Sequence, residues 1–168
     1  MIRIANIEDS SRMAEIHVFG WRCAYKDFIP LDYLYNKFTV KVREEKFREY
    51  FSIKHDNEEI YVYEHQNIVK AFLTIGNFRD DDDKDKKIFE LMAIYVHPLF
   101  QRQKIGTKLV EFCIKEAISK NKEELVLWVF EKNKESIKFY EKMGFKKDGK
   151  KKLMEFFNEY AIRMSKKL

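Results

Sequence analysis

An apolar run from Ile88 to Val96 halts at Pro98, a polar stretch follows, and from Ile105 a helical pattern reaches Ser119 before a second apolar run, Leu125 to Phe130. This is a strand, helix, strand unit, and its helix carries Leu109, Cys113 and Ala117 on one face by their spacing of four. A helix with one apolar stripe has to bury it against another element. The rest of the chain therefore has to supply the sheet that this unit belongs to.

Ile2-Arg3-Ile4 alternates as a short strand, and Asn6 is placed to cap a helix whose first turn carries Glu8 and Asp9. Met13, Ile16 and Gly20 share a face of that helix, and the aromatic run Trp21 to Phe28 carries the chain on to Pro30. Leu31 to Tyr35 reads as a short helical turn, and Thr39 as the cap of a helix that buries Val40, Phe47 and Phe51. Glu59 to Glu64 and Ile68 to Ile75, separated by Gln66-Asn67, read as an antiparallel hairpin. Ser136 to Met143 reads as a short helix closed by Gly144, Asp148-Gly149 as a hairpin turn, and Tyr160, Ile162 and Met164 as alternate residues of a last strand. With no repeat or linker in this order, one α+β domain with a mixed sheet is expected over residues 1–168.

Lysine and arginine number 33 against 28 aspartates and glutamates, a net charge of +5 spread along the chain. Such an excess suits an anionic partner without choosing between nucleic acid and a phosphorylated cofactor. Charged residues recur from Arg3 onward, leaving no span of about 18 apolar residues and no apolar leader, which predicts a soluble, cytoplasmic protein without a membrane partner. Cys23 and Cys113 make neither a disulfide framework nor a zinc pattern, and both are expected as buried, reduced thiols. His17, His55, His65 and His97 show no ligand spacing. The run Asp80, Asp81, Asp82, Asp83 and Asp85 reads as a solvated loop, because lysines interrupt it and no calcium-loop spacing is present, so no metal is expected.

The most informative stretch runs from Tyr95 to Thr107, where a strand end opens through a polar turn into a helix. The first turn of a helix holds backbone N–H groups without internal partners, and with the dipole they form an anion site. Arg102 and Lys104 add positive charge, Gly106 permits close approach, and Thr107 adds a hydroxyl, so a diphosphate would fit; an ordinary strand-to-helix turn with a basic rim is the plainer reading. A second segment, Asn133 to Phe145, places Asn133 in a loop, Ser136 at a helix start and Tyr140 one turn later on the same face.

Together the two segments resemble the GNAT superfamily of acetyl-CoA-dependent N-acetyltransferases. The family pattern Q/R-x-x-G-x-G/A aligns with Gln101 to Gly106, with Lys104 standing where the family usually has glycine, and N-x-x-S-x-x-F-Y-x-x-x-G-F matches from Asn133 to Phe145. The likeness extends to Trp21-Arg22-Cys23-Ala24-Tyr25 and Ile29-Pro30. It implies a central mixed, mostly antiparallel sheet flanked by helices, with parallel strands splayed at the cofactor site. It implies acetyl-CoA as cosubstrate, no metal, and transfer of acetyl to a primary amine by direct attack in a ternary complex.

By the same resemblance Ile94, Tyr95 and Val96 bind the pantetheine arm through their backbone, and Gln101, Arg102, Gln103, Lys104, Ile105, Gly106 and Thr107 hold the diphosphate. Asn133 contacts the cofactor through its amide, and Ser136 either does so or caps its helix. Tyr140 corresponds to the tyrosine facing the cofactor sulfur; a phenol, ordinarily ionising near about 10, can serve as general acid, or the ring can simply pack in the core. Glu90 is placed to accept the amine's proton, to attract an ammonium, or to make a structural ion pair. Trp21, Tyr25, Phe28 and Tyr33 either wall an acceptor pocket or pack the first helices. The acceptor is a small amine, a polyamine or a protein amino group. A non-catalytic acyl-CoA sensor is the alternative, nucleic-acid binding by Lys146 to Lys152 is the weaker partner reading, and a homodimer is left open.

Overall fold

The computed structural model describes residues 1–80 and 87–168. Along the chain run β1 (Ile2–Ile4), α1 (Ser10–Tyr25), α2 (Val40–Phe51), β2 (Glu58–His65), β3 (Ile68–Asn77), β4 (Ile88–Val96), α3 (Ile105–Ser119), β5 (Glu124–Phe130), α4 (Lys134–Lys142), β6 (Lys146–Met154) and β7 (Glu159–Lys167). The strands form one mixed sheet in the order β1-β2-β3-β4-β5-β7-β6. The expected strand Ile88 to Val96 and helix Ile105 to Ser119 are found with those bounds. Asp81, Asp82, Asp83 and Asp85 of the expected acidic loop lie outside the described residues.

The chain divides into two compact units, Met1–Thr74 with Ala93–Leu109, and Ile75–Met92 with Val110–Leu168. In the first, the helical period of α1 buries Met13, Ala14 and Ile16, which cluster with Phe47 of α2 and with Ile60, Val62 and Phe72 of β2 and β3. A β-carbon on Gly20 would stand 3.1 Å from Tyr95 Cδ1, so the missing side chain is what lets α1 lie this close to the end of β4. Asn6 caps the turn that leads into α1, and Arg3 forks onto Asp9 at 2.8 and 2.9 Å while its Nε reaches Glu64 at 2.8 Å, tying β1 to β2 and to that cap. Gln66 and Asn67 both take positive φ, 54° and 58°, as a two-residue hairpin turn requires. Cys23, expected to be buried, is exposed: in the last turn of α1 the covered positions are Trp21, Arg22 and Tyr25 instead.

In the second unit β4 and β5 pair in parallel from Ile88↔Glu124 to Leu91↔Leu127, and the registered pairs stop there although β4 continues to Val96 and β5 to Phe130. Leu125, Val126 and Leu127 are buried on both faces, which explains the unbroken apolar run. Cys113 is fully buried on α3, and burial pushes its thiol up, which keeps it protonated and unreactive. β7 pairs antiparallel with both β5 and β6. Asp148-Gly149 is not the hairpin turn: Gly149, at φ 88°, lies inside β6 where the register shifts between Lys147 and Lys151. The turn falls at Glu155 to Asn158, closed by Asn158 in the left-handed region. A positive φ serves a bulge as well as a turn, and Asp-Gly alone does not say which.

Candidate active site

β4 ends at Val96, and its last residues lead through a 3-10 turn, Pro98–Phe100, to α3. His97 fastens this corner: buried, it donates its backbone N–H to Lys70 O at 2.9 Å and accepts the Leu99 N–H on Nδ1 at 3.3 Å. Burial and the Arg12 charge hold its imidazole below the ordinary value, in keeping with an accepting Nδ1. Gln101 Nε2 donates to Val96 O at 3.3 Å, so the loop's first side chain folds back on the strand.

Beyond it Arg102 and Lys104 stand at φ 62° and 59°. Lys104 is thus held in the left-handed region, which is the physical reason a glycine suits this place. The first helical bond into the loop is Lys108 N–H to Lys104 O at 3.1 Å, so the N–H groups of Ile105, Gly106 and Thr107 precede the intrahelical ladder. Left-handed residues before such a terminus make anion-binding concavities, and a diphosphate matches this donor set. Lys104→Gly is expected to raise the unfolding free energy by about 0.5–1 kcal/mol, the left-handed penalty less the extra chain entropy of glycine. A higher denaturant midpoint at unchanged slope would show it.

The same unit places an aromatic cluster against Tyr95. Its phenol oxygen accepts the Trp21 Nε1–H at 2.9 Å, and its ring lies 4.5 Å from His17 and 5.4 Å from Phe72 between centroids. Trp21 stacks on Phe38 at 4.5 Å, and Tyr33 stacks on Phe38 at 5.8 Å. Of the residues expected to wall a pocket, Trp21, Tyr25, Phe28 and Tyr33 all keep partial exposure. Two further polar members were not anticipated, His17 and Arg43, and a signal for each was there. His17 follows Met13 by four on the buried stripe of α1, and Arg43 lies between Val40 and Phe47 on the apolar face of α2.

His17 is enclosed by five rings, and burial together with the Arg43 charge holds its imidazole well below the ordinary value. The unfolded chain therefore takes up a proton near the ordinary histidine value while the folded chain does not. Stability is fully present above about 6.5 and falls as pH drops through that value. A loss of about 1.4 kcal/mol from this one group is expected between pH 7.5 and 5.5, with His97 acting in the same direction. Urea titrations at the two pH values, repeated on His17→Phe, check it: the variant should lose less stability than the parent.

In the second unit Glu90 is 2% exposed, and both its oxygens are held by Arg79, Nε to Oε2 at 3.0 Å and Nη2 to Oε1 at 2.5 Å. Nearby, Arg163 pairs with Asp148 at 2.5 Å and lies 3.9 Å from Asp80, which accepts the Trp128 Nε1–H at 3.1 Å. Lys152 stands 3.9 Å from the Trp128 ring centre, and burial keeps its ammonium below the ordinary value. α4 is capped by Asn133, whose Oδ1 accepts the Ser136 N–H at 3.1 Å. Ser136 is therefore inside the helix and not its cap, since the chain turns helical one residue after Asn133. Tyr140 is buried, its ring 5.3 Å from Phe139 and 5.8 Å from Phe145, and Gly144 closes the helix at φ 87°.

Ile94 to Val96 and Gln101 to Thr107 thus share the first unit, while Glu90, Asn133, Ser136 and Tyr140 belong to the second. Among the described residues no helix is long and apolar enough to cross a membrane, and no three His, Cys, Asp or Glu side chains are grouped to hold a metal ion.

Residues 21–145 match the sequence profile of the acetyltransferase (GNAT) family. The uncharacterized N-acetyltransferase YuaI of Bacillus subtilis (strain 168) is 31% identical over 145 residues, 83% of this chain and 76% of that protein. Among solved structures, PaiA N-acetyltransferase from Thermoplasma acidophilum in complex with coenzyme A superposes with a TM-score of 0.78 at 22% identity, over 100% of this chain and 98% of that one. YncA, a putative acetyltransferase from Salmonella typhimurium with acetyl-CoA, does so at 0.70 and 22%, over 100% and 93%. With its mixed sheet, its basic strand-to-helix loop and its Asn133 to Phe145 block, this chain belongs to the acetyltransferase (GNAT) family and is an acyltransferase.

Proposed function

We propose that the chain, acting as one transferase domain over residues 1–168 in the cytoplasm, moves the acetyl group of acetyl-CoA to a primary amine by direct attack in a ternary complex. The observation that carries this reading is the loop from Gln101 to Thr107: left-handed Arg102 and Lys104 lead into three N–H groups at the start of α3. Bound there, acetyl-CoA supplies an activated thioester. Arg102, Gln103, Lys104, Ile105, Gly106 and Thr107 hold the diphosphate by backbone donors, with two side-chain charges at the rim, and Gln101, whose own N–H bonds Pro98 O at 3.3 Å, sets the start of the loop. The end of the β4–β5 ladder at Leu91 supports a role for the backbone of Ile94, Tyr95 and Val96 in receiving the pantetheine arm.

Asn133 spends its side-chain oxygen on capping α4, which leaves its amide N–H groups for the cofactor. Ser136, now inside the helix, adds a hydroxyl near the same place. Tyr140 acts as general acid toward the departing thiolate. For Glu90 the Arg79 pair supports the structural ion pair over proton acceptance or attraction of an ammonium, since both oxygens are engaged and the charge is already balanced. Glu90→Gln tests this: a pH–rate profile that moves marks a base, and one that stays removes Glu90 from proton transfer.

A thiol-release assay with acetyl-CoA across small amines, polyamines and peptide amino groups tests the function. Amine-dependent release of coenzyme A is expected with at least one class, and none with any class contradicts the proposal.

A further inference from the structure

In the first unit, Arg43 of α2 is a half-buried charge. Its Nε is buried and has no hydrogen-bond partner. Its guanidinium makes no ion pair among the described residues; it stands 5.4 Å from the Phe38 ring centre and 5.2 Å from that of Phe47. His17 borders the same two rings, at 5.1 and 6.0 Å between centroids, and its buried Nδ1 is likewise unpartnered. A guanidinium drawn among rings without a counter-charge is costly unless something else completes it. The strand residue Tyr95, whose backbone the acetyl-transfer reading assigns to the pantetheine arm, packs its ring on His17 at 4.5 Å.

We propose that Arg43 and His17 receive the carboxylate of an amino-acid-type acceptor, an amine that carries one carboxylate on an apolar body. This rests on the acetyl-transfer reading and names its acceptor class. The charge count selects the class. One guanidinium beside a neutral imidazole balances one negative charge, so a monoanionic carboxylate fits where a dianionic phosphate would leave a surplus buried charge. The planar fork of arginine matches a carboxylate edge, and His17 in its Nδ1–H tautomer is a second donor to the same group. Phe38 and Phe47, which border both His17 and Arg43, are the apolar surface next to the proposed carboxylate. A polycation meets Arg43 with like charge, so polyamines and lysine side chains are rejected by the same residue that holds the carboxylate.

The test compares matched acceptor pairs that differ by the carboxylate, L-leucine with isoamylamine, L-phenylalanine with phenethylamine, and L-lysine with cadaverine, in wild type and Arg43→Gln. In wild type at least one pair should favour the amino acid about tenfold or more in kcat/KM, the worth of one charged hydrogen bond. Arg43→Gln should bring that ratio close to one while acetyl-CoA affinity holds. Equal or better use of every decarboxylated amine, or a ratio that Arg43→Gln leaves alone, overturns the proposal. A second arm needs no folded variant: 3-phenylpropionate should raise the wild-type melting temperature and compete with the acceptor, whereas phenethylammonium should not raise it, and equal effects of the two also overturn it. Were acetyl-CoA neither bound nor consumed while 3-phenylpropionate still protected the protein through Arg43, the carboxylate site would stand and the transferase reading would fall.

Discussion

Tyr140→Phe is expected to lower kcat by at least about 100-fold, within the range that removal of a positioned general acid produces, while the affinity for acetyl-CoA changes by less than about threefold. The asymmetry follows from the surroundings of the ring. Tyr140 is buried against Phe139 and Phe145, and a phenylalanine keeps those ring contacts, so the α4 cap at Asn133 should be untouched. What disappears is the hydroxyl, and with it the proton that the proposed general acid would give the departing thiolate. Single-turnover kinetics with an isotherm for acetyl-CoA separate the two quantities. Turnover near that of wild type would show Tyr140 to be a core tyrosine only.

S-acetylpantetheine, which has the same thioester and arm but no diphosphate, is expected to be used with kcat/KM reduced by at least about 10³. Three charge-assisted N–H bonds from Ile105, Gly106 and Thr107, at about 1.5 kcal/mol each at the low end, amount to about three powers of ten. The loss should sit in KM, because the diphosphate is far from the reacting carbonyl and is bound alike in ground and transition states. Added inorganic diphosphate should compete with acetyl-CoA and leave S-acetylpantetheine turnover unhindered. A truncated donor that works within tenfold of acetyl-CoA would remove the loop from cofactor binding.

The sequence was most readable where one physical rule acted alone. β4 and α3 were placed by their apolar pattern, and the Gln66-Asn67 turn by its position between two strand-like runs. Reading failed where one residue type serves two ends. Asn133 and Ser136 are both capping residues three apart, and the chain chose the earlier one. Asp148-Gly149 signalled a positive φ that the fold uses for a bulge. Cys23 was expected to be a buried thiol, but the covered positions of the last turn of α1 are those of Trp21, Arg22 and Tyr25. The pairing of Arg79 with Glu90 was hidden because an eleven-residue separation across a charged segment carries no period. At the site itself, the loop and the Asn133 to Phe145 block were legible as motifs, whereas the conformation of Lys104 was not, since a lysine there signals no left-handed turn.

Amide chemical shifts in nitrogen-15-labelled protein titrated with coenzyme A test the central claim most directly. Saturable movement is expected, concentrated at the N–H groups of residues 102–107, reproduced by inorganic diphosphate and absent with pantetheine. Saturation that leaves those amides in place, or no saturable change up to about millimolar ligand, would contradict it.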